Sequence, residues 1–174
     1  MTRLAAAEAD RAGPARRRWG PSRRRATEWM DDPAIDPTLH AHALRGLRRI
    51  NWLSGAVPMV WHAIRPFAGK RSGPLQVGDL ACGSGDIAAG IAAMAQRDRT
   101  DVRIVGYDVS ATAVDAGRQR AREAGLGVAF ERLDVLAEAL PGGLDVLTCS
   151  LFLHHLDEAE VVMLLRRMGE AARC

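Results

Sequence analysis

Lysine is nearly missing from this 174-residue chain. Of its 24 basic residues only Lys70 is a lysine, a bias that reads as GC-rich coding. Cysteine is scarce, odd in number and widely spaced, as Cys82, Cys149 and Cys174. That pattern excludes a disulfide scaffold and a cysteine-based zinc site, so no metal is expected, and it suits a reducing compartment. Long apolar runs are absent too: the longest stretch without a charge, residues 50–64, lies between Arg49 and Arg65 and contains Pro58. It is too short for a bilayer, and no membrane span is expected. The first residues lack the apolar core of a secretory signal, and with little serine and two acids they make a poor transit peptide. A cytoplasmic location is the expectation that remains. No internal repeat is visible.

What is present, 48% apolar and 26% charged residues, fits one globular domain with a buried core. Charge is unevenly divided. Residues 1–25 hold eight arginines against Glu8 and Asp10, a balance of +6, and the other 149 residues sum to −3. The pI near 9.1 therefore describes a tail, and the body carries no footprint for a nucleic acid partner.

Residues 1–27 show no sustained apolar period and read as a basic, disordered tail, with a frayed helix over 4–12. Asp32-Pro33 and Asp36-Pro37 are turn and cap signals. A helix over 37–51 is expected from Leu39, Ala43, Leu44, Leu47 and Ile50, and a second over 56–67 from Val57, Val60, Trp61 and Ile64. Residues 69–74 form a Gly/Pro connector, which divides a helical segment at 28–73 from a core at 74–174. Beyond Pro74 strands alternate with helices, the pattern of an α/β domain with a mostly parallel sheet. Strands are expected over 75–80, 102–107, 127–131 and 144–149, and helices over 85–96, 110–124 and from Asp157 onward. Ser110 caps the second of these helices and Gly125 ends it, while Asp157 with Glu160 forms a capping box for the third.

The segment Asp79-Leu80-Ala81-Cys82-Gly83-Ser84-Gly85-Asp86 falls where the first strand ends and a helix begins. Glycines there let a ligand approach the backbone, and Gly83-Ser84-Gly85-Asp86-Ile87-Ala88 satisfies the dinucleotide pattern, with Asp108 placed for ribose hydroxyls. An NAD-dependent dehydrogenase is one reading. Asp79 opposes it, because a carboxylate before the turn repels a pyrophosphate and asks for an ammonium group or an ordered water. A ribose at one end and a charged amino acid at the other describe S-adenosylmethionine.

These residues resemble the first motif of the class I S-adenosylmethionine-dependent methyltransferases, here Asp79, Ala81, Gly83 and Gly85, with Ala81 in place of the first glycine. The resemblance implies a Rossmann-like core and direct methyl transfer to a small-molecule acceptor. Asp108 looks like the family's ribose-binding acid, and Val109 like its adenine-packing residue. Asp134, with Val135 beside it, looks like the acid that accepts the adenine amino group. Residues 150–156, Ser-Leu-Phe-Leu-His-His-Leu, are similar to the segment under the methionine end, which places Ser150 at the cofactor and His154 and His155 as candidate bases. Residues 50–55 and Trp61 resemble the helical cover of quinone-biosynthesis methyltransferases, so 28–73 is expected to form a lid that favours a lipophilic or aromatic acceptor. The family's sheet has further strands beyond the fourth, so the chain is expected to be truncated, with the fourth strand at an edge, and a cofactor-binding remnant without activity is the alternative.

Each residue has a plainer reading as well. Asp108 serves equally as a helix cap, Asp134 as a loop carboxylate, the histidines as donors to backbone carbonyls, and Trp52 and Trp61 as packing residues. Cys82 and Cys149 read as small buried hydrophobes.

Overall fold

The computed structural model describes residues 55–69 and 72–173. The expected tail at 1–27, the helix over 37–51, Trp52 and the rest of the expected lid up to residue 54 lie outside the described residues. In chain order the elements are α1 (Ala56–Ala68), β1 (Leu75–Leu80), α2 (Asp86–Arg97), β2 (Val102–Asp108), α3 (Ala111–Glu123), β3 (Val128–Arg132), β4 (Val146–Cys149) and α4 (Glu158–Ala171), with a 3-10 turn at Leu153–His155 before α4.

The four strands form one parallel sheet in the order β3-β2-β1-β4. The chain steps outward from β1 to β3, then returns to the far side of β1. Strand order therefore reverses between β1 and β4, the place where open α/β sheets bind ligands at their carboxyl ends. This is the Rossmann-like α/β architecture that the sequence implied, and among the described residues β4 stands at an edge.

Alternation along β1 explains the layers, because successive side chains of a strand face opposite sides. Leu75 and Val77 join Trp61, Ile64, Ile87, Ile91 and Ile104 in one core, which packs α1 and α2 on that face. Leu80 joins Tyr107, Val135, Leu156 and Leu164 on the other, under α4. A third cluster, Val114, Ala121 and Phe130, seats α3 on β3. The Phe130 ring lies where side chains on Gly85, Gly106 and Gly117 would stand, 2.2–2.8 Å from the Cβ each would carry.

Helix α1 runs on the flank of α2 rather than apart from the core. Val57 occupies the space over Gly90. Trp61 is fully buried, and its Nε1–H donates to Asp98 Oδ2 at 2.7 Å, so it is a packing residue with its one donor satisfied.

Most expected boundaries stand within a residue or two, and the shifts have local causes. Helix α2 starts at Asp86, because Gly85 holds φ 75° and is the non-helical cap. The fourth strand begins at Val146, not at residue 144, because the Asp145 side chain takes a ladder position: its Oδ2 accepts the Gln76 N–H at 2.9 Å. Leu144 instead forms an isolated parallel bridge with Ala172. The caps are as expected: Ser110 Oγ accepts the Ala113 N–H at 3.2 Å, Gly125 takes φ 62°, and the Asp157–Glu160 box is closed.

Gly90→Ala should destabilise the protein by about 1–3 kcal/mol, because the added Cβ would stand 2.5 Å from a stiff Val57 methyl. Val57→Ala in the same chain should recover part of that loss, a coupling that denaturant unfolding of the single and double variants measures.

Candidate functional site

Strand β1 delivers Asp79 to the switch point, opposite Gly106 of β2 and Thr148 of β4. The side chain is buried, 1% exposed. Its Oδ1 accepts the Thr148 hydroxyl at 2.8 Å, whereas Oδ2 is buried with no hydrogen-bond partner. Burial pushes the carboxyl up to about 7; the Thr148 hydroxyl and the Ala88 N–H oppose the shift, and the charge of Asp108 adds to it. A buried carboxylate with one oxygen unmet is costly unless a cation or a donor arrives.

The turn after β1 is bent by three left-handed residues, Ala81 (φ 50°), Gly83 (φ 55°) and Gly85 (φ 75°). Glycine adopts this conformation freely and alanine does not, so Ala81, standing in place of the motif's first glycine, carries backbone strain. Gly85, the N-cap of α2, has no side chain to cap the helix, and the Ala88 N–H of its first turn favours the charged Asp79 carboxylate.

Asp108 holds the turn from the neighbouring strand. Its Oδ2 accepts the Gly83 N–H at 2.7 Å and its Oδ1 the Ser110 N–H at 2.9 Å, which joins the glycine turn to the start of α3. The carboxylate is thus both a local cap and a strut. Val109 follows it, half exposed.

Asp134 is engaged in a local turn: its Oδ1 accepts the Leu136 and Ala137 N–H groups at 2.9 and 3.2 Å. Val135 is a core residue of the α4 side. Arg167 of α4 fixes this loop by donating to the carbonyls of Val135 at 2.8 Å and Leu136 at 3.0 Å.

Beyond β4, Ser150 is partly buried and Leu151 takes φ 58°, which throws the chain into the 3-10 turn. His154 is exposed and His155 half-buried, their rings 4.0 Å apart, with Phe152 6.1 Å from His155. The cysteines stand as inert fillers. Burial, with the charge of Asp79, pushes the Cys149 thiol up to about 12 and raises Cys82 as well, so neither is a thiolate near neutral pH.

Two site residues escaped the sequence. Arg120 of α3 donates from Nη2 to Ser84 Oγ at 2.9 Å and pairs through Nη1 with Asp86, clamping both ends of the glycine turn. Thr148 was the other. Arg120 gives no signal, since it lies 36 residues from Ser84 on a helix rich in arginine; Thr148 was discoverable, as the β4 residue level with Asp79. Among the described residues no group of three or more His, Cys, Asp or Glu could hold a metal ion.

Residues 77–173 match the profile of the methyltransferase domain family. The chain belongs to that family. The ubiquinone biosynthesis O-methyltransferase of Ralstonia nicotianae is 32% identical over 140 residues, covering 79% of this chain and 50% of that protein. Its counterpart in Sodalis glossinidius is 34% identical over 105 residues, 57% of this chain and 40% of that one. This methyltransferase domain thus spans about half the length of the curated relatives it matches. Among solved structures, an O-methyltransferase of neocarzinostatin biosynthesis, in complex with S-adenosyl-L-homocysteine and 1,4-dihydroxy-2-naphthoic acid, superposes with a TM-score of 0.63 at 23% identity over 79% of this chain and 38% of that chain. The magnesium protoporphyrin IX methyltransferase of Synechocystis, with bound S-adenosylmethionine, gives 0.56 at 20% identity over 81% and 74%. Both share the fold.

The site makes a signed prediction. Asp79 has a folded pKa near 7, above its unfolded value near 3.8, so it stabilises the folded state fully only below the unfolded value. That contribution is lost as pH rises through about 7. Asp79→Asn removes the titration, so its stability relative to the parent should increase steadily between pH 4 and pH 8, as read from urea unfolding of the ligand-free proteins.

Proposed function

We propose that this domain binds S-adenosylmethionine at the β1–β4 switch point and transfers its methyl group to a small, lipophilic or aromatic acceptor. The observation that carries the reading is the buried Asp79 Oδ2, unmet beside a left-handed turn and an uncapped helix start. An ammonium group or the water it holds satisfies that oxygen. A pyrophosphate does not, since Asp79, Asp86 and Asp108 all surround the turn, and this weighs against a dinucleotide. The residues fit the cofactor at its other end too, where Asp108 offers acceptor capacity to ribose hydroxyls and Val109 an apolar surface to a flat base.

The bound sulfonium supplies an activated methyl group and a good leaving group. The protein's own task is alignment. The glycine turn, held by Asp108 from one side and Arg120 from the other, fixes the cofactor's amino-acid end. Asp134 and Ser150 border the same carboxyl edge of the sheet, Asp134 toward the base and Ser150 toward the methionine end. His154 and His155, on the turn that follows β4 with their rings 4.0 Å apart, are the proposed acceptors of a proton from a phenolic or alcoholic acceptor. Residues 28–73 are proposed to complete the acceptor side as a cover, behind the basic segment 1–27. The relatives are named as O-methyltransferases of ubiquinone biosynthesis, and one solved neighbour holds a dihydroxynaphthoic acid; both support an aromatic hydroxyl as acceptor.

Titration calorimetry should show binding of S-adenosylmethionine and S-adenosylhomocysteine, and none of NAD; the opposite preference overturns the proposal. Asp108→Ala should weaken cofactor binding by about 1–3 kcal/mol. His154→Ala and His155→Ala should lower turnover of a catechol-type acceptor while cofactor affinity stays within about twofold. Unchanged turnover in both removes the histidines from the reaction.

A further inference from the structure

Asp79 has two oxygens in two different situations, and one residue decides which is which. Thr148 lies level with Asp79 in the β1–β4 ladder, and its hydroxyl reaches Asp79 Oδ1 at 2.8 Å and the Gly78 carbonyl at 3.4 Å. A hydroxyl has a single proton to donate, and the shorter contact goes to the carboxylate. That bond fixes the side chain's rotation and leaves Oδ2 as the oxygen without a partner. We propose that Thr148 is a positioning residue: it occupies Oδ1, aims Oδ2 at the cofactor's ammonium end and holds the carboxylate in its charged form for that cation. The inference rests on the cofactor reading above and adds to it the residue that tunes the acid.

The surroundings leave Thr148 this role. The titratable groups that act on Asp79 or feel its charge are Cys82 in the turn, Cys149 on β4 and Asp108 at the end of β2; Asp86 at the start of α2 acts on Cys82 and is paired with Arg120 of α3. Both thiols stay neutral, and Asp108 opposes a second negative charge. Only the Thr148 hydroxyl and the Ala88 N–H favour the ionised form. The N–H belongs to the helix backbone, so the hydroxyl is the donor that a substitution can remove. With burial holding Asp79 near 7, the empty site is partly protonated at neutral pH, and cofactor binding releases that proton.

Thr148→Val keeps the shape and deletes the donor. S-adenosylhomocysteine affinity, measured by calorimetry from pH 6 to pH 9, should fall about tenfold against the parent at pH 7. The ratio of the two affinities should shrink toward one as the pH rises and both carboxylates ionise; the ligand's own titration cancels in that ratio. Thr148→Ser should restore the parent profile. A loss that is equal at every pH reports a packing defect and overturns the inference. Should the valine variant not fold, the carboxyl 13C shift of Asp79 in the ligand-free parent and in Thr148→Ala carries the test. A midpoint higher in the alanine variant than in the parent supports the proposal, and equal midpoints overturn it. Absence of binding by the parent overturns the cofactor reading and this inference together, whereas binding indifferent to Thr148→Val overturns the inference alone.

Discussion

A carboxylate taken out of water at the centre of a parallel sheet is the constraint around which this domain is arranged. Asp79 meets a hydroxyl on one oxygen and nothing on the other, with two further carboxylates close by. No hydrophobic core benefits from such a group, and a neutral residue of similar size would serve folding better. A donor or cation from a ligand would meet the oxygen that the protein leaves without a partner. The strand order supplies the place: the crevice opens where β1 parts from the direction of β2 and β3 and meets β4.

Rigidity around this acid comes from polar struts that span long sequence distances. Asp108 and Arg120 approach the glycine turn from β2 and α3, and each bonds it twice or joins it to a second element. A turn bent by left-handed residues is soft when isolated, and these ties hold it in one shape without covering the backbone that a ligand must approach. The two faces of the sheet are unequally dressed. Among the described residues three helices cover one face and α4 covers the other, with Val162 and Leu165 about half exposed.

Much of this was readable from residue order. Period-two and period-3.6 patterns located every described strand and helix, and caps at Ser110, Gly125 and Asp157 behave as their side chains require. The errors were local: the Asp145 side chain replaced a main-chain partner and shortened β4. The motif carboxylates were found because their chemistry is tied to a turn of recognisable composition. Arg120 and Thr148 were not, since their importance comes from register and helix packing, which place residues 36 and 69 positions from their partners within bonding distance.

The aromatic ring of Phe130 fills a hollow formed by three bare backbones, one from the glycine turn, one from β2 and one from α3. Four positions scattered over 46 residues therefore share one volume and one evolutionary fate. Any drift toward a bulkier residue at 85, 106 or 117 has to coincide with a shrinking ring at 130, so these sites should change in concert or not at all among descendants of this domain.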